Sequence, residues 1–177
     1  MVKTQQYMKK GRIDLVDNLL SSSEISYLNN CISNFIPHRQ PGEGLNYYFN
    51  TFIDINKLST FTENVKEYSR SIGNEYLLEA EGSFINRINT TSNLSDGYHD
   101  DHSKLSSVTL LNDDYEGGQI NYIDSKGEEA NIRCKKYSTL IFNGNETLHR
   151  VLPVTQGIRW SLATFYLIKT KNTKTLL

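Results

Sequence analysis

The 177-residue chain has little of what staples or anchors a protein. It holds two cysteines, Cys31 and Cys134, with no CxxC spacing, so neither a thiolate zinc site nor a redox dithiol is written into it. Two unpaired thiols fit a reducing compartment. There is no excess of charge: the formal net charge is -1, and no sequence-wide field recruits nucleic acid or an anionic membrane. The adjacent Lys135 and Lys136 form the one basic pair of note, and two neighbouring lysines read as a solvated turn. The N-terminal residues MVKTQQYMKKGRID contain no apolar core of a signal peptide, and no run of ~18 apolar residues occurs anywhere. A soluble, cytoplasmic protein without membrane or nucleic-acid partners is therefore expected. Tryptophan is almost absent, with a single residue, whereas tyrosine occurs eleven times. No internal repeat or low-complexity segment is present.

What is there suits a globular domain. The length fits one domain over 1–177, large enough to bury a core without staples. A hydrophobic fraction of 37% and a charged fraction of 22% are ordinary for such a chain, and the aromatic content favours strands and a lined pocket over disorder. Residues 12–20 (RIDLVDNLL) alternate as a strand. Ser21 and Glu24 have capping-box spacing, so a helix starts there, with Ile25, Leu28, Ile32 and Phe35 on one face and Pro37 ending it. Residues 38–46 form a loop, YYFNTFIDI a strand, and 58–72 a second helix with Phe61, Val65 and Tyr68 on one face.

From Tyr76 onward the pattern is short β-type runs broken by turns: LLEAEGSFINRI, SSVTLLN, GGQINYID, ANIRC, STLIFN and RWSLATFYLI. Helices first and strands after predict a mainly β fold with flanking helices. The N-terminal strand and helices span about 12–75, the sheet-rich core about 76–168, and a short tail ends the chain.

Chemistry concentrates in two places. In YHDDH, residues 98–102, an extended segment would put His99 and Asp101 on one face, with Asp100 and His102 opposite. His149, after an apolar strand and a turn, is the natural third ligand. Two imidazoles and one carboxylate leave open positions that suit iron(II), and zinc takes the same donors. Arg159 lies ten residues on, inside the apolar strand RWSLATFYL. A charged Arg is costly to bury there unless paired, so it meets either a carboxylate of this chain or an anionic ligand.

HRVLPVTQGIRW (His149 to Trp160) resembles the last motif of the prolyl 4-hydroxylases. VTLLNDDYEGGQINY and LVDNLLSSSEISYL resemble that family's Gly-Gly stretch and its opening strand and helix. The HxD pair, the distal His and the Arg at this spacing resemble the Fe(II)- and 2-oxoglutarate-dependent oxygenases jointly, over about residues 12 to 168. The resemblance implies a double-stranded β-helix, or jelly roll, with iron held by His99, Asp101 and His149. It implies 2-oxoglutarate as co-substrate with its distal carboxylate on Arg159, dioxygen as oxidant, and ascorbate as an optional reductant. The implied activity is hydroxylation of an aliphatic carbon, foremost a prolyl or related residue in a peptide or protein. The alternatives are a free amino acid or small metabolite as substrate, or a catalytically idle jelly roll that binds. Some members hold the distal carboxylate with a Tyr where this chain has Leu110. Ser161, on the same strand face as Arg159, is the candidate replacement. Tyr47, Tyr48 and Arg150 are candidate substrate contacts, Trp160 faces away from Arg159 into the core, and Gly117 and Gly118 shape a turn.

Overall fold

Ser21 caps the first helix as its spacing predicts. Its Oγ accepts from the Glu24 amide, and the Glu24 carboxylate accepts from the Ser21 amide at 2.8 Å, which starts α1 (Ser22–Ser33). Glu24 does more than cap. Its side chain is buried, and Oε1 accepts from the amide of Phe61 at 2.9 Å, in the first turn of α2 (Ser59–Ser71). One carboxylate thus closes the N-terminus of α1 and joins it to α2. Leu28 of α1 and Phe61 and Val65 of α2 are fully buried, the faces the helical periodicity selects.

The computed structural model describes residues 10–35, 49–74, 76–92 and 97–169. The expected loop at 38–46, Tyr47, Tyr48 and the tail beyond 169 lie outside the described residues. The strands are β1 (Ile13–Val16), β2 (Phe49–Phe52), β3 (Leu78–Asn89), β4 (Leu105–Leu110), β5 (Glu116–Gly117), β6 (Ile120–Ile123), β7 (Glu129–Ile132), β8 (Thr139–Phe142), β9 (His149–Val151), β10 (Val154–Gln156) and β11 (Ile158–Ile168). The first strand is shorter than its sequence pattern because Asn18 turns the chain at φ 62°, a conformation that Asn tolerates and that ends an extended run.

A larger antiparallel sheet has the order β1-β8-β4-β11-β3-β2, and a smaller one the order β7-β6-β9, with β10 paired to β5. β11 is central. It pairs with β3 over its whole length and with β4 from Ser161 to Tyr166. Alternation divides its side chains. Leu162 and Tyr166 join Leu28, Phe61, Val65, Ile85 and Ile141 in the core beneath the helices. Arg159, Ser161, Ala163 and Phe165 face the other way, into a cavity shared with residues of the smaller sheet. The helices therefore back one face of the larger sheet and leave its other face for the site. Among the described residues no helix is long and apolar enough to cross a membrane.

Glu24→Ala removes the carboxylate half of the capping box and leaves the Phe61 amide buried without a partner. A loss of about 2–4 kcal/mol is expected, from a lost N-cap interaction plus an unsatisfied buried donor. Urea unfolding of the variant, with an unchanged slope and a lower midpoint, checks this.

Candidate metal centre and its pocket

His149 is the first residue of β9, and His99 pairs with it through an isolated antiparallel bridge. Each amide donates to the other's carbonyl at 3.0 Å. Residues directly opposed in an antiparallel pair share a face, and the two imidazoles stand 4.5 Å apart between ring centroids. Asp101 lies outside any named strand, yet it is on the same side as His99, as alternation expects. The chain leaves the bridge after His99, and the Asp101 amide donates to the carbonyl of Gly144 at 3.0 Å. The carboxylate still converges on the pair: Asp101 Oδ1 lies 3.6 Å from His149 Nε2 and 4.0 Å from His99 Nε2. One ligand atom from each residue lies within 4.8 Å of the others. Asp100 is turned away and meets the exposed ring of His102 at 2.6 Å.

This donor set fits a divalent cation. His149 is buried, and its Nδ1 lies 2.9 Å from the carbonyl oxygen of Thr147. With Nδ1 as donor there, the Nε2 lone pair is left toward Asp101. Burial lowers the His149 pKa despite the nearby Asp101 carboxylate, which favours the neutral imidazole that a metal requires. Gly144 is the tight point behind Asp101. A Cβ there would stand 2.1 Å from Ser103 Oγ and 2.6 Å from Ser106 Oγ, two hydroxyls already hydrogen-bonded to each other at 2.7 Å.

The three residues open onto a cavity of about 300 Å³ between the two sheets. Phe84, Asn86 and Ile88 of β3, Val108 of β4, Ile120 of β6 and Val151 of β9 wall it, together with the inward residues of β11. Arg159 is 1% exposed. Its Nη1 donates to Ser161 Oγ at 2.8 Å, while Nε and Nη2 are buried with no partner. Of the two partners open to it from sequence, the internal carboxylate is not found among the described residues. Burial lowers its pKa, but a guanidinium starts so high that it stays charged. A buried cation with two unused donors is costly unless an anion completes it, and a carboxylate does so in two parallel bonds.

Gly118 makes room for this arrangement. At φ +64° it already sits where other residues are strained, and a Cβ would stand 2.9 Å from Arg159 Cδ and 3.1 Å from the ring edge of Tyr115. Its role goes beyond the turn that its neighbour Gly117 shapes. Tyr115, which the sequence did not single out, is buried beside Arg159, and burial raises its pKa against the pull of the guanidinium. Cys134 is also close, its thiol pushed up to about 11 by burial. Leu110 is buried opposite Ser161 in the β4–β11 pair and offers no hydroxyl.

The remaining candidates fall elsewhere. Trp160 packs on the helix side, edge-on to Phe35 at 4.9 Å. Arg150 does not line the cavity. Strand alternation turns it to the opposite face from His149, where it bonds to Asn121 and stacks on Tyr98. Tyr47 and Tyr48 lie outside the described residues.

The family model described as the 2OG-Fe(II) oxygenase superfamily matches residues 85–167, the stretch that carries the three clustered ligands and Arg159. No curated protein matches the chain. Solved structures do. A 2OG-Fe(II) oxygenase family oxidoreductase from Burkholderia pseudomallei is 14% identical, with 88% of this chain and 84% of that one covered and a TM-score of 0.67. A prolyl-4-hydroxylase from Pseudomonas putida is 17% identical, with 91% and 94% covered and a TM-score of 0.64. The non-heme alpha ketoglutarate dependent carbocyclase SnoK from nogalamycin biosynthesis is 14% identical, with 90% and 80% covered and a TM-score of 0.65. The fold is that of the double-stranded β-helix of the 2OG oxygenases, the group that the sequence motifs resemble.

Gly144→Ala should push Ser103 and Ser106 against the segment that bears Asp101. Titration with Mn(II) is expected to show affinity reduced about tenfold or more, the scale of other losses of ligand support. His102→Ala, at an exposed ring outside the cluster, should leave the titration unchanged.

Proposed function

We propose that the protein is an Fe(II)- and 2-oxoglutarate-dependent oxygenase that hydroxylates an aliphatic carbon, with a prolyl or related residue of a peptide or protein as the foremost substrate. The observation that carries this reading is a buried guanidinium with two unused donors in the same cavity as a His-Asp-His cluster. The cluster alone suits zinc as well as iron. The cluster together with a carboxylate receptor suits a metal whose open positions take a dicarboxylate co-substrate.

His99, Asp101 and His149 would hold iron(II), which supplies the redox chemistry with dioxygen when bound. Arg159 binds the distal carboxylate of 2-oxoglutarate through Nε and Nη2, and Ser161, held by Nη1, offers its hydroxyl beside them. Strand β11 fixes both groups, so the co-substrate's reach from Arg159 toward the cluster is set by a rigid element rather than a loop. The apolar walls from Ile88, Val108, Ile120 and Val151 exclude water around the carboxylate pair, which strengthens it. Phe84 and Phe165 give the same cavity an apolar surface for a C–H-rich substrate group.

The likeness of HRVLPVTQGIRW to the prolyl 4-hydroxylase motif supports a peptide substrate, as does the fold shared with the Pseudomonas putida enzyme. A small metabolite is the second reading, supported by the same fold in a carbocyclase of nogalamycin biosynthesis.

Arg159→Ala should raise the 2-oxoglutarate concentration needed for half-maximal turnover by about a hundredfold or more, since two charge-assisted bonds of ~1.5–3 kcal/mol each are at stake. The measurement is succinate release by the iron-loaded protein across proline-containing peptides, free amino acids and small molecules, with product mass read in parallel. Anaerobic calorimetry with iron(II) and 2-oxoglutarate provides the binding arm. An unchanged requirement contradicts the role of Arg159. No succinate with any candidate, together with no metal-dependent binding of 2-oxoglutarate, contradicts the oxygenase.

A further inference from the structure

The two histidines of the cluster are carried by unequal supports. His149 belongs to β9, which is registered against β6. His99 stands outside the named strands and is tied to His149 by one reciprocal pair of backbone bonds. Its side chain is about half exposed, at 47%. Something else must hold that segment if the two rings are to meet a metal in fixed geometry.

Behind the cluster, on the face of the smaller sheet away from the cavity, the chain neighbours of the two ligands come together. Tyr98 precedes His99, and Arg150 follows His149. The guanidinium carbon of Arg150 lies 4.4 Å from the centroid of the Tyr98 ring. Both side chains also bond to one oxygen: Asn121 Oδ1 accepts from Arg150 Nε at 2.7 Å and from the Tyr98 hydroxyl. Asn121 is 2% exposed on β6, opposite Arg150 on one side and Asn131 on the other. Its amide nitrogen donates to Asn131 Oδ1 at 3.0 Å and to the Ala130 carbonyl at 3.3 Å. Arg150 can only donate, so its bond fixes which end of the Asn121 amide faces it. Glu129, 3.7 Å from Arg150 Nη2, closes the group.

The geometry points to Tyr98, Asn121 and Arg150 as positioning residues that set the approach of His99 to His149 and Asp101 from behind the sheet. This rests on the metal-centre reading above. The buried amide of Asn121 ties three elements together: the segment bearing His99, through Tyr98; β9, through Arg150; and β7, through Asn131. The stacked guanidinium holds Tyr98, and with it His99, against β9. Loss of this clamp leaves the metal to order the His99 segment itself, and the cost of that ordering is subtracted from metal affinity. Groups one layer behind the ligands commonly carry such effects.

The test uses the full chain, anaerobically, with Co(II) as the probe, read by titration and by its visible absorption. Arg150→Ala is expected to weaken Co(II) binding about tenfold or more and to change the absorption bands. Arg150→Lys keeps a cation over the ring but loses the guanidinium fork, and should recover part of the affinity. Tyr98→Phe keeps the stack, removes one hydroxyl bond, and should cost about threefold to tenfold. Wild-type affinity and spectrum in Arg150→Ala overturn the inference, even with a lower melting temperature, because a purely structural contact would move only the latter. If Arg150→Ala does not fold, Tyr98→Phe decides, and an unchanged affinity and spectrum overturn it. Failure of the wild-type chain to bind Co(II) overturns the metal centre as well, which separates the two results.

Discussion

A guanidinium buried without a counter-charge is the constraint around which the rest of this molecule is arranged. Taking such a cation out of water costs several kcal/mol unless an anion meets it, and the described residues supply Arg159 with the Ser161 hydroxyl, place Tyr115 beside it, and offer no carboxylate. The fold tolerates this because Arg159 is locked into the middle of its architecture. Its strand is paired on both sides for much of its length, Gly118 gives up a side chain to let its stem pass, and apolar walls surround the cavity it faces. The expense is borne by a core assembled on the opposite face of the same strand. Arg159 is therefore stable as placed and incomplete as placed, the condition expected of a binding group.

The His-Asp-His cluster depends on a second device, the close approach of backbones. The reciprocal bridge between His99 and His149 sets two rings side by side, and the bond from the Asp101 amide to Gly144 brings the carboxylate across to them. Neither device uses a long element. Each is a single contact between segments far apart in sequence, stiffened by groups around it: the Thr147 carbonyl at His149 Nδ1, the packed hydroxyls of Ser103 and Ser106 beneath Gly144, and the amide of Asn121 behind the histidines.

Much of this was legible in the order of residues. The Ser21–Glu24 spacing marks the start of α1 and the structure has the reciprocal cap. Period-two alternation in RWSLATFYL separates Arg159 and Ser161 from Trp160 and Leu162, and the strand obeys it. HxD, the distal His and the Arg are found together around one cavity. What was not legible depends on tertiary approach. Alternation puts His99 and Asp101 on one side with Asp100 on the other, and they lie so; the bond from the Asp101 amide to Gly144 that holds the segment there carries no sequence signal. Arg150 reads as a residue beside the site, and pairing with Asn121 turns it to the back of the sheet. Gly118 and Gly144 look like turn glycines until the atoms a Cβ would strike are known. Tyr115 carries no local signal, because its closeness to Arg159 is created by the β4–β6 connection folding over β11.

The double duty of β11 limits how such a chain can diversify. One face of the strand holds the buried guanidinium of Arg159 and the other packs beneath the helices, so altering its backbone would loosen the layer that keeps the protein folded. The edge of the same sheet is freer. Phe52 on β2 is 75% exposed and meets Phe84, a residue of the cavity wall, edge-on at 4.9 Å, with no helix core riding on its side chain. A change at that rim can reshape the cavity wall with little effect on the core, whereas a change in the central strand is felt on both of its faces, a division of the sheet into a part that must be kept and a part that can be explored.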